Sequence, residues 1–115
     1  MSTPQYLIVF ITAGSMEEAT NISRTLVEGR FPACCNIINP ITSVYRWGGE
    51  VVEDPEVLII LKTRKSLLKK LIKRVTEIHS YELPEVISVP LGEGNPPYLK
   101  WLAESTRMPK RKIGD

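Results

Sequence analysis

The stretch CCNIINPITSVYRWGGEVVEDPEVLIILKT, residues 34–63, decides the fold of this chain. Two extended segments, Cys34 to Trp47 and Glu50 to Thr63, flank the pair Gly48-Gly49. Two consecutive glycines between such segments are typical of a two-residue hairpin turn, because both positions require a positive φ. The sequence therefore predicts one long antiparallel hairpin at the centre of the chain, with Trp47 facing Glu50.

The predicted hairpin is longer than a compact domain of this size. A strand from residue 34 to 47 would span on the order of 45 Å, whereas a globule of this length has a radius of gyration of about 13 Å. Pro40 and Pro55 lie at nearly the same level of the hairpin, and neither has an N–H to donate to the ladder. We therefore expect the hairpin to divide into a base within the sheet and an arm, Ile41 to Asp54.

The arm carries apolar side chains on one face. Strand alternation places Ile41, Tyr45, Trp47 and Val52 together. An isolated two-stranded ribbon is only marginally stable, and an exposed aromatic patch usually marks an interface. Either the arm folds back on its own subunit or it packs on a neighbouring copy in a closed ring. We expect the second, with these four residues in the interface.

The segments before the hairpin predict a strand and a helix. The apolar run Tyr6 to Thr12 suits a strand covered on both faces. Ser15 followed by Glu18 is a capping-box pattern, so a helix is expected to begin at Ser15 and to end at Gly29.

The segments after the hairpin predict a second helix, a fourth strand and a short terminal helix. The second helix is expected to be capped near Thr63 or Ser66, the strand to cover Glu85 to Leu91, and the last helix Tyr98 to Ser105. The order β-α-β-β-α-β indicates an α+β, ferredoxin-like domain.

Composition places the chain among ordinary globular domains. It has 115 residues, 43% of them hydrophobic, and a net charge of +2 from 15 basic and 13 acidic residues. We expect one domain over residues 1–107 and a loose basic tail over 108–115. The charge is too small and too mixed to predict binding of nucleic acid or of a membrane. The adjacent Cys34 and Cys35 cannot readily pair, and the start of the chain has no signal-peptide pattern, so a cytoplasmic protein with reduced thiols is expected.

Few residues in the sequence stand out as candidates for catalysis or metal binding. His79 is the only histidine and stands at the expected end of the second helix, as a cap or as a metal ligand. Cys34 and Cys35 are expected either to be buried as small apolar residues or to supply a soft thiolate that binds copper beside an imidazole. Because the sequence has neither a phosphate-binding glycine loop nor a Gly-x-Ser-x-Gly elbow, we expect that it is not an enzyme.

Several motifs in the order of the chain resemble the CutA family, which is linked to divalent-cation tolerance. They are Ala33-Cys34-Cys35-Asn36-Ile37, Thr42-Ser43-Val44-Tyr45-Arg46-Trp47, Glu53-Asp54, Leu61-Lys62-Thr63, His79-Ser80-Tyr81-Glu82-Leu83-Pro84-Glu85 and Tyr98-Leu99-Lys100-Trp101-Leu102.

The resemblance implies a homotrimer of ferredoxin-like subunits that binds copper or another divalent cation. It also implies a cleft between subunits, with His79 and Cys34 as candidate metal ligands. The members best associated with copper have a Cys where this chain has Ile11 and a second His where it has Ile78, so weak binding is expected. The residues expected to line the cleft are Lys62, Tyr81, Glu82, Tyr45, Trp47 and Trp101.

Two other functions compete with the metal response. One is a trimeric sensor or signalling scaffold that binds an organic anion in the cleft, beside Lys62 and His79. The other is a trimeric platform without a ligand that holds partner proteins.

Overall fold

The computed structural model describes residues 5–106. One antiparallel sheet has the strand order β2-β3-β1-β4, as a ferredoxin-like domain requires, so the predicted α+β fold is confirmed. No helix within residues 5–106 is both long and apolar enough to cross a membrane. The predicted tail, residues 108–115, lies outside the described residues. The elements are β1 (Tyr6–Ala13), α1 (Met16–Glu28), β2 (Pro32–Trp47), β3 (Glu50–Arg64), α2 (Leu68–Ile78), β4 (Val86–Pro90) and α3 (Pro96–Ser105).

The hairpin of β2 and β3 forms in the predicted register. Trp47 pairs with Glu50 across the turn, and both Gly48 and Gly49 have positive φ values, 59° and 81°. The ladder shifts register between Ile38 and Ile41, where Pro40 interrupts it. The described fold is elongated, with extents of 53 × 35 × 23 Å and a radius of gyration of 15.8 Å, because the arm extends beyond the domain.

The core lies between one face of the sheet and the helices α1 and α2. Alternate residues of β1 and β3, such as Val9 and Ile59, point to the helices and are fully buried. Ile11 belongs to this core and is fully buried, so its position is inaccessible from solvent. Leu26 of α1 and Leu71 of α2 close the core from the other side.

The two helices differ in how they begin. The Ser15 side chain accepts a hydrogen bond from the N–H of Glu18 at 3.1 Å, so the predicted cap of α1 is confirmed. The predicted cap of α2 is wrong. The Thr63 hydroxyl donates to the carbonyl of Phe31 instead, and Ser66 lies in a 3-10 turn over residues 65–67 that precedes a helix without a side-chain cap.

Within residues 5–106 no helix covers the middle of the other face of the sheet, which we call the open face. Its exposed members include Ile38 of β2, at 46%, and Ile87 and Val89 of β4, at 55% and 44%. These strands pair through β1 and β3, whose Phe10 and Leu58 are half-buried on the same face. Burying such a continuous apolar surface would release about 25 cal/mol per Å².

Helix α3 covers one end of the open face. Arg64 of β3 holds it there, since its guanidinium donates to the hydroxyl of Thr106 at 3.0 Å and to the carbonyl of Ala103. Leu102 is fully buried beneath the helix. The arm stands at the opposite end of β3.

Candidate functional site

A cleft of about 480 Å³ opens where the arm meets the loop between α2 and β4. The loop contributes one wall and the arm the other, with the end of β1 at the bottom. The lining residues are Thr12, Ser43, Val44, Tyr45, Trp47, Glu56, Tyr81, Glu82, Leu83 and Glu85.

Tyr81 connects the two walls of the cleft. Its hydroxyl donates to Oε2 of Glu56 at 2.8 Å. Partial burial and this hydrogen bond raise the pKa of the Tyr81 phenol well above its ordinary value. On the arm, the Tyr45 hydroxyl donates to Oδ2 of Asp54 at 2.8 Å, which raises the pKa of Tyr45 in the same way. Both phenols are therefore neutral at physiological pH.

His79 supports Tyr81 from behind. Its side chain is fully buried, and its Nε2 lies 2.7 Å from the carbonyl oxygen of Thr12. Its Nδ1 accepts the N–H of Tyr81 at 3.0 Å, so Nε2 carries the proton and the ring is the neutral tautomer. The two rings also contact each other, with centroids 4.7 Å apart.

Glu18 anchors the start of the same loop to α1. Its Oε2 accepts the N–H of Ser80 at 2.7 Å and lies 3.7 Å from Nδ1 of His79. Partial burial raises the pKa of the Glu18 carboxyl, but the hydrogen bonds from Ser80 and Gly14 outweigh it, so the pKa lies below its usual value. Gly14 lies close to this loop, and a Cβ there would stand 3.2 Å from the Tyr81 hydroxyl.

A second polar group lies at the other end of the sheet, beneath α3. The Lys62 ammonium donates to Oδ1 of Asn36 at 2.8 Å and lies 3.8 Å from Sγ of Cys34. The Tyr98 hydroxyl lies 3.7 Å from the same sulfur, and the Tyr98 ring contacts Trp101 at a centroid distance of 5.4 Å.

The two cysteines face opposite sides of the sheet. Cys34 shares the open face with Lys62, whereas Cys35 packs toward α1, 4.0 Å from the carbonyl of Ser23. Burial raises the pKa of the Cys35 thiol to about 11, so it stays protonated at neutral pH. Both are free thiols.

A single chain does not bring the predicted metal ligands together. Both nitrogens of His79 bind backbone groups, and the cationic Lys62 beside Cys34 opposes the approach of a metal ion there. His79 and Cys34 also lie at different levels of the sheet. His79 contacts Thr12, which pairs with Leu58, whereas Cys34 pairs with Lys62, four residues further along β3. Among residues 5–106 no three His, Cys, Asp or Glu side chains converge on a metal position.

The other predicted residues separate in the same way. Tyr45, Trp47, Tyr81 and Glu82 line the cleft, whereas Lys62 and Trp101 belong to the group under α3. Glu56 was not among the predicted residues, because its position depends on pairing between strands far apart in the chain. The one signal that points to it is its place two residues after Asp54, on the same face of β3 at the base of the arm.

The fold and the cleft together define a ferredoxin-like protein with a β-hairpin arm and a ligand-sized opening at the arm's base. The chain belongs to the CutA family: the family described as CutA1 divalent ion tolerance protein matches residues 7–105. The chain is 48% identical over 99 residues to the divalent-cation tolerance protein CutA of Thermus thermophilus, covering 86% of this chain and 96% of that protein.

Solved structures agree with this assignment. The T. thermophilus divalent cation tolerance protein superposes with a TM-score of 0.86 at 47% identity, covering 89% of this chain and 99% of the other. The CutA1 structure from Oryza sativa superposes with a TM-score of 0.89 at 41% identity, covering 91% and 96%. The human protein CutA is 44% identical over 97 residues, or 84% of this chain, but the chain spans only 54% of that longer protein.

Proposed function

We propose that this protein is a homotrimer of the divalent-metal response that binds copper or a related divalent ion weakly. The observation that carries the assembly is the open face, where Ile38, Ile87 and Val89 remain exposed beside a protruding arm. Apolar surface in that amount and continuity is typical of an interface. Of the four arm residues predicted to pack on a neighbour, Tyr45 and Trp47 are exposed at 39% and 56%, while Ile41 and Val52 are half-buried.

The cleft is the place where we expect a divalent ion. Glu56, Glu82 and Glu85 supply carboxylate oxygens along its lining, and Ser43 and Thr12 supply hydroxyl groups. Oxygen donors that line a cleft without converging favour weak binding, because tight sites hold several ligands at fixed distances. The family names of the relatives support the same role.

We also propose that the protein acts by binding and not by catalysis. Three polar groups at the cleft that could move a proton are already committed: His79 to two backbone groups, and the phenols of Tyr81 and Tyr45 to carboxylates. A general base or nucleophile needs a free lone pair within reach of the substrate.

A cytoplasmic location remains our proposal for this chain, supported by its two free thiols. Relatives differ in location, since one from Arabidopsis thaliana is named chloroplastic and one from Archaeoglobus fulgidus is named periplasmic.

Calorimetric titration of the metal-free protein with Cu(II) at neutral pH tests the metal role. We expect saturable binding with a dissociation constant weaker than about 1 μM, reduced at least fivefold in Glu82→Gln/Glu85→Gln. His79→Ala serves as the comparison, because His79 lies behind the cleft wall. Loss of binding in His79→Ala with full binding in the double variant, or no saturable heat at all, would contradict the assignment of the ion to the cleft.

One observation favours the organic-anion sensor as a second candidate. The Lys62 ammonium is half-buried, and its hydrogen-bond partners are the Asn36 amide and the Cys34 sulfur, with no Asp or Glu paired to it among residues 5–106. A half-buried cation without a carboxylate partner favours an anion nearby. Citrate binding that is lost in Lys62→Gln, with no response to Cu(II), would favour this function over the metal role.

A further inference from the structure

The chemistry of the cleft extends beyond carboxylates. Three of its ten lining residues, Tyr45, Trp47 and Tyr81, are aromatic, and none of the described residues that line it is Lys, Arg or His. The negative faces of aromatic rings attract cations within about 6 Å of the ring centre. The lining therefore offers two independent kinds of attraction for positive charge, and neither favours an anion.

The Tyr45 and Tyr81 rings are held by their hydroxyl groups, and the Tyr81 ring packs against His79 from behind. Within a single chain, this leaves the ring surfaces that line the cleft available. Tyr81 donates to Glu56 and Tyr45 donates to Asp54, each at 2.8 Å. When a phenol donates a hydrogen bond to a carboxylate, electron density shifts from its O–H group toward its own ring, because hydrogen-bonded groups polarise one another. Trp47 has no such restraint and is 56% exposed at the end of the arm. Trp is also the ring that binds cations most strongly.

The size of the cleft accommodates a ligand larger than a metal ion. A volume of about 480 Å³ lies within the range of small-molecule sites. A metal ion would bond to carboxylate oxygens and would leave the ring faces and Leu83 without a role. Leu83, exposed at 73%, adds an apolar contact that suits alkyl groups around a charged nitrogen.

We propose that the cleft binds a small organic cation, an alkylated ammonium group that stacks on Trp47 and Tyr81 and is neutralised by Glu82 and Glu85. This ligand class goes beyond the proposed metal role, because it uses the ring faces that a metal ion does not use. The carboxylates in the lining favour a ligand with a positive charge. The aromatic rings and Leu83 favour a ligand that carries alkyl groups. Binding of such a cation and of a divalent ion should be mutually exclusive.

Tetramethylammonium chloride is a suitable probe, and Trp47 fluorescence is the readout. The chain has two tryptophans, so Trp101→Phe leaves Trp47 as the single reporter. Sodium chloride at equal ionic strength controls for screening, and tert-butanol is a neutral molecule of similar shape. We expect a saturable change with tetramethylammonium in the millimolar range, at least tenfold tighter than any response to tert-butanol. An equal response to the two molecules, or no saturable response up to 100 mM, would overturn the proposal.

Matched variants locate the site. In the Trp101→Phe background, Glu82→Gln/Glu85→Gln should weaken binding at least fivefold. Glu53→Gln/Glu77→Gln removes the same two charges outside the cleft lining and should weaken it less than twofold. If the two double variants weakened binding equally, the attraction would come from long-range electrostatics and not from the cleft, and the proposal would be overturned.

Trp47→Leu separates this proposal from the metal role. Followed by NMR shifts of the cleft backbone amides, this variant should lose tetramethylammonium binding at least fivefold and keep its affinity for Cu(II) within twofold. Unchanged tetramethylammonium binding would overturn the organic-cation site alone. Failure of Cu(II) binding in the unmodified protein would count against the metal role and leave this inference standing. Light scattering confirms that each variant keeps the assembly state of the unmodified chain.

Discussion

The Tyr81 hydroxyl donates a hydrogen bond to Oε2 of Glu56 at 2.8 Å, which joins the loop after α2 to the base of the arm. This contact spans 25 residues of sequence and crosses the cleft that we assign to cations. It makes the position of the arm depend on the loop, and the loop depends in turn on His79 and Glu18.

Removing the Tyr81 hydroxyl should weaken the fold modestly. We expect Tyr81→Phe to lower the free energy of unfolding by about 1 kcal/mol, as is typical for a partly exposed hydrogen bond. Tyr45→Phe removes an equivalent hydroxyl on the exposed arm and should cause no measurable change. Urea denaturation at one fixed protein concentration measures both, because the stability of an oligomer depends on concentration. An equal loss in both variants would contradict the special role of Tyr81.

The same contact predicts a pH dependence at the alkaline end. Because the pKa of Tyr81 is raised in the folded protein, its contribution is fully present below the unfolded value of about 10. It is lost as the pH rises through the folded pKa. The difference in stability between the unmodified chain and Tyr81→Phe should therefore be constant from pH 6 to 9 and shrink above pH 10. A difference that grows above pH 10 would contradict this assignment.

Glu18 predicts a dependence at the acid end. Its pKa is lowered in the folded protein, so its contribution is present above the unfolded value of about 4.3 and is lost as the pH falls through the folded pKa. Glu18→Gln should therefore flatten the loss of stability below pH 5. Glu17→Gln is the matched control, since Glu17 lies in the same first turn of α1. Parallel pH profiles for the unmodified chain and Glu18→Gln would show that the carboxylate has no such role.

His79 should contribute strongly to stability, because its buried ring contacts two backbone groups. In His79→Ala the carbonyl of Thr12 and the N–H of Tyr81 lose their partners and a buried cavity remains. We expect a loss of about 2–4 kcal/mol in the free energy of unfolding. Lys73→Ala, at an exposed residue of α2, is the control and should stay within about 0.5 kcal/mol. A loss below that limit in His79→Ala would mean that the loop is not held by the imidazole.

The Cys35 thiol should react slowly with alkylating reagents in the native protein. With a pKa of about 11 its thiolate fraction at pH 8 is about 100-fold smaller than for a thiol with the ordinary pKa of 9.0, and the thiolate is the reactive form. In a Cys34→Ser variant, alkylation by iodoacetamide at pH 8 should be at least 100-fold slower in buffer than in 6 M urea. Similar rates in the two conditions would place Cys35 at the surface.

Local patterns in the sequence were enough for the fold. Ser15 and Gly48-Gly49 act through neighbouring residues, so the helix start and the hairpin register could be predicted to the residue. The cap of α2 could not, because the Thr63 hydroxyl finds a distant partner, the carbonyl of Phe31. Tertiary contacts override local preference at such positions.

The site was only partly predictable for the same reason. Tyr45, Trp47, Tyr81 and Glu82 were expected in the cleft and line it. The role of His79 as a buried support depends on Thr12 of β1, 67 residues away, and no periodicity encodes that contact. Lys62 lies in the group under α3, so we expect a second chain, and not its own, to bring it near a cleft.

The mass of the protein in solution tests the central claim, the homotrimer, most directly. Light scattering should give three times the chain mass of 13.0 kDa. Ile87→Lys/Val89→Lys on the open face should dissociate the trimer, whereas Val27→Lys, at an exposed valine of α1, should leave it intact. A mass of one chain for the unmodified protein at micromolar concentration would contradict the account.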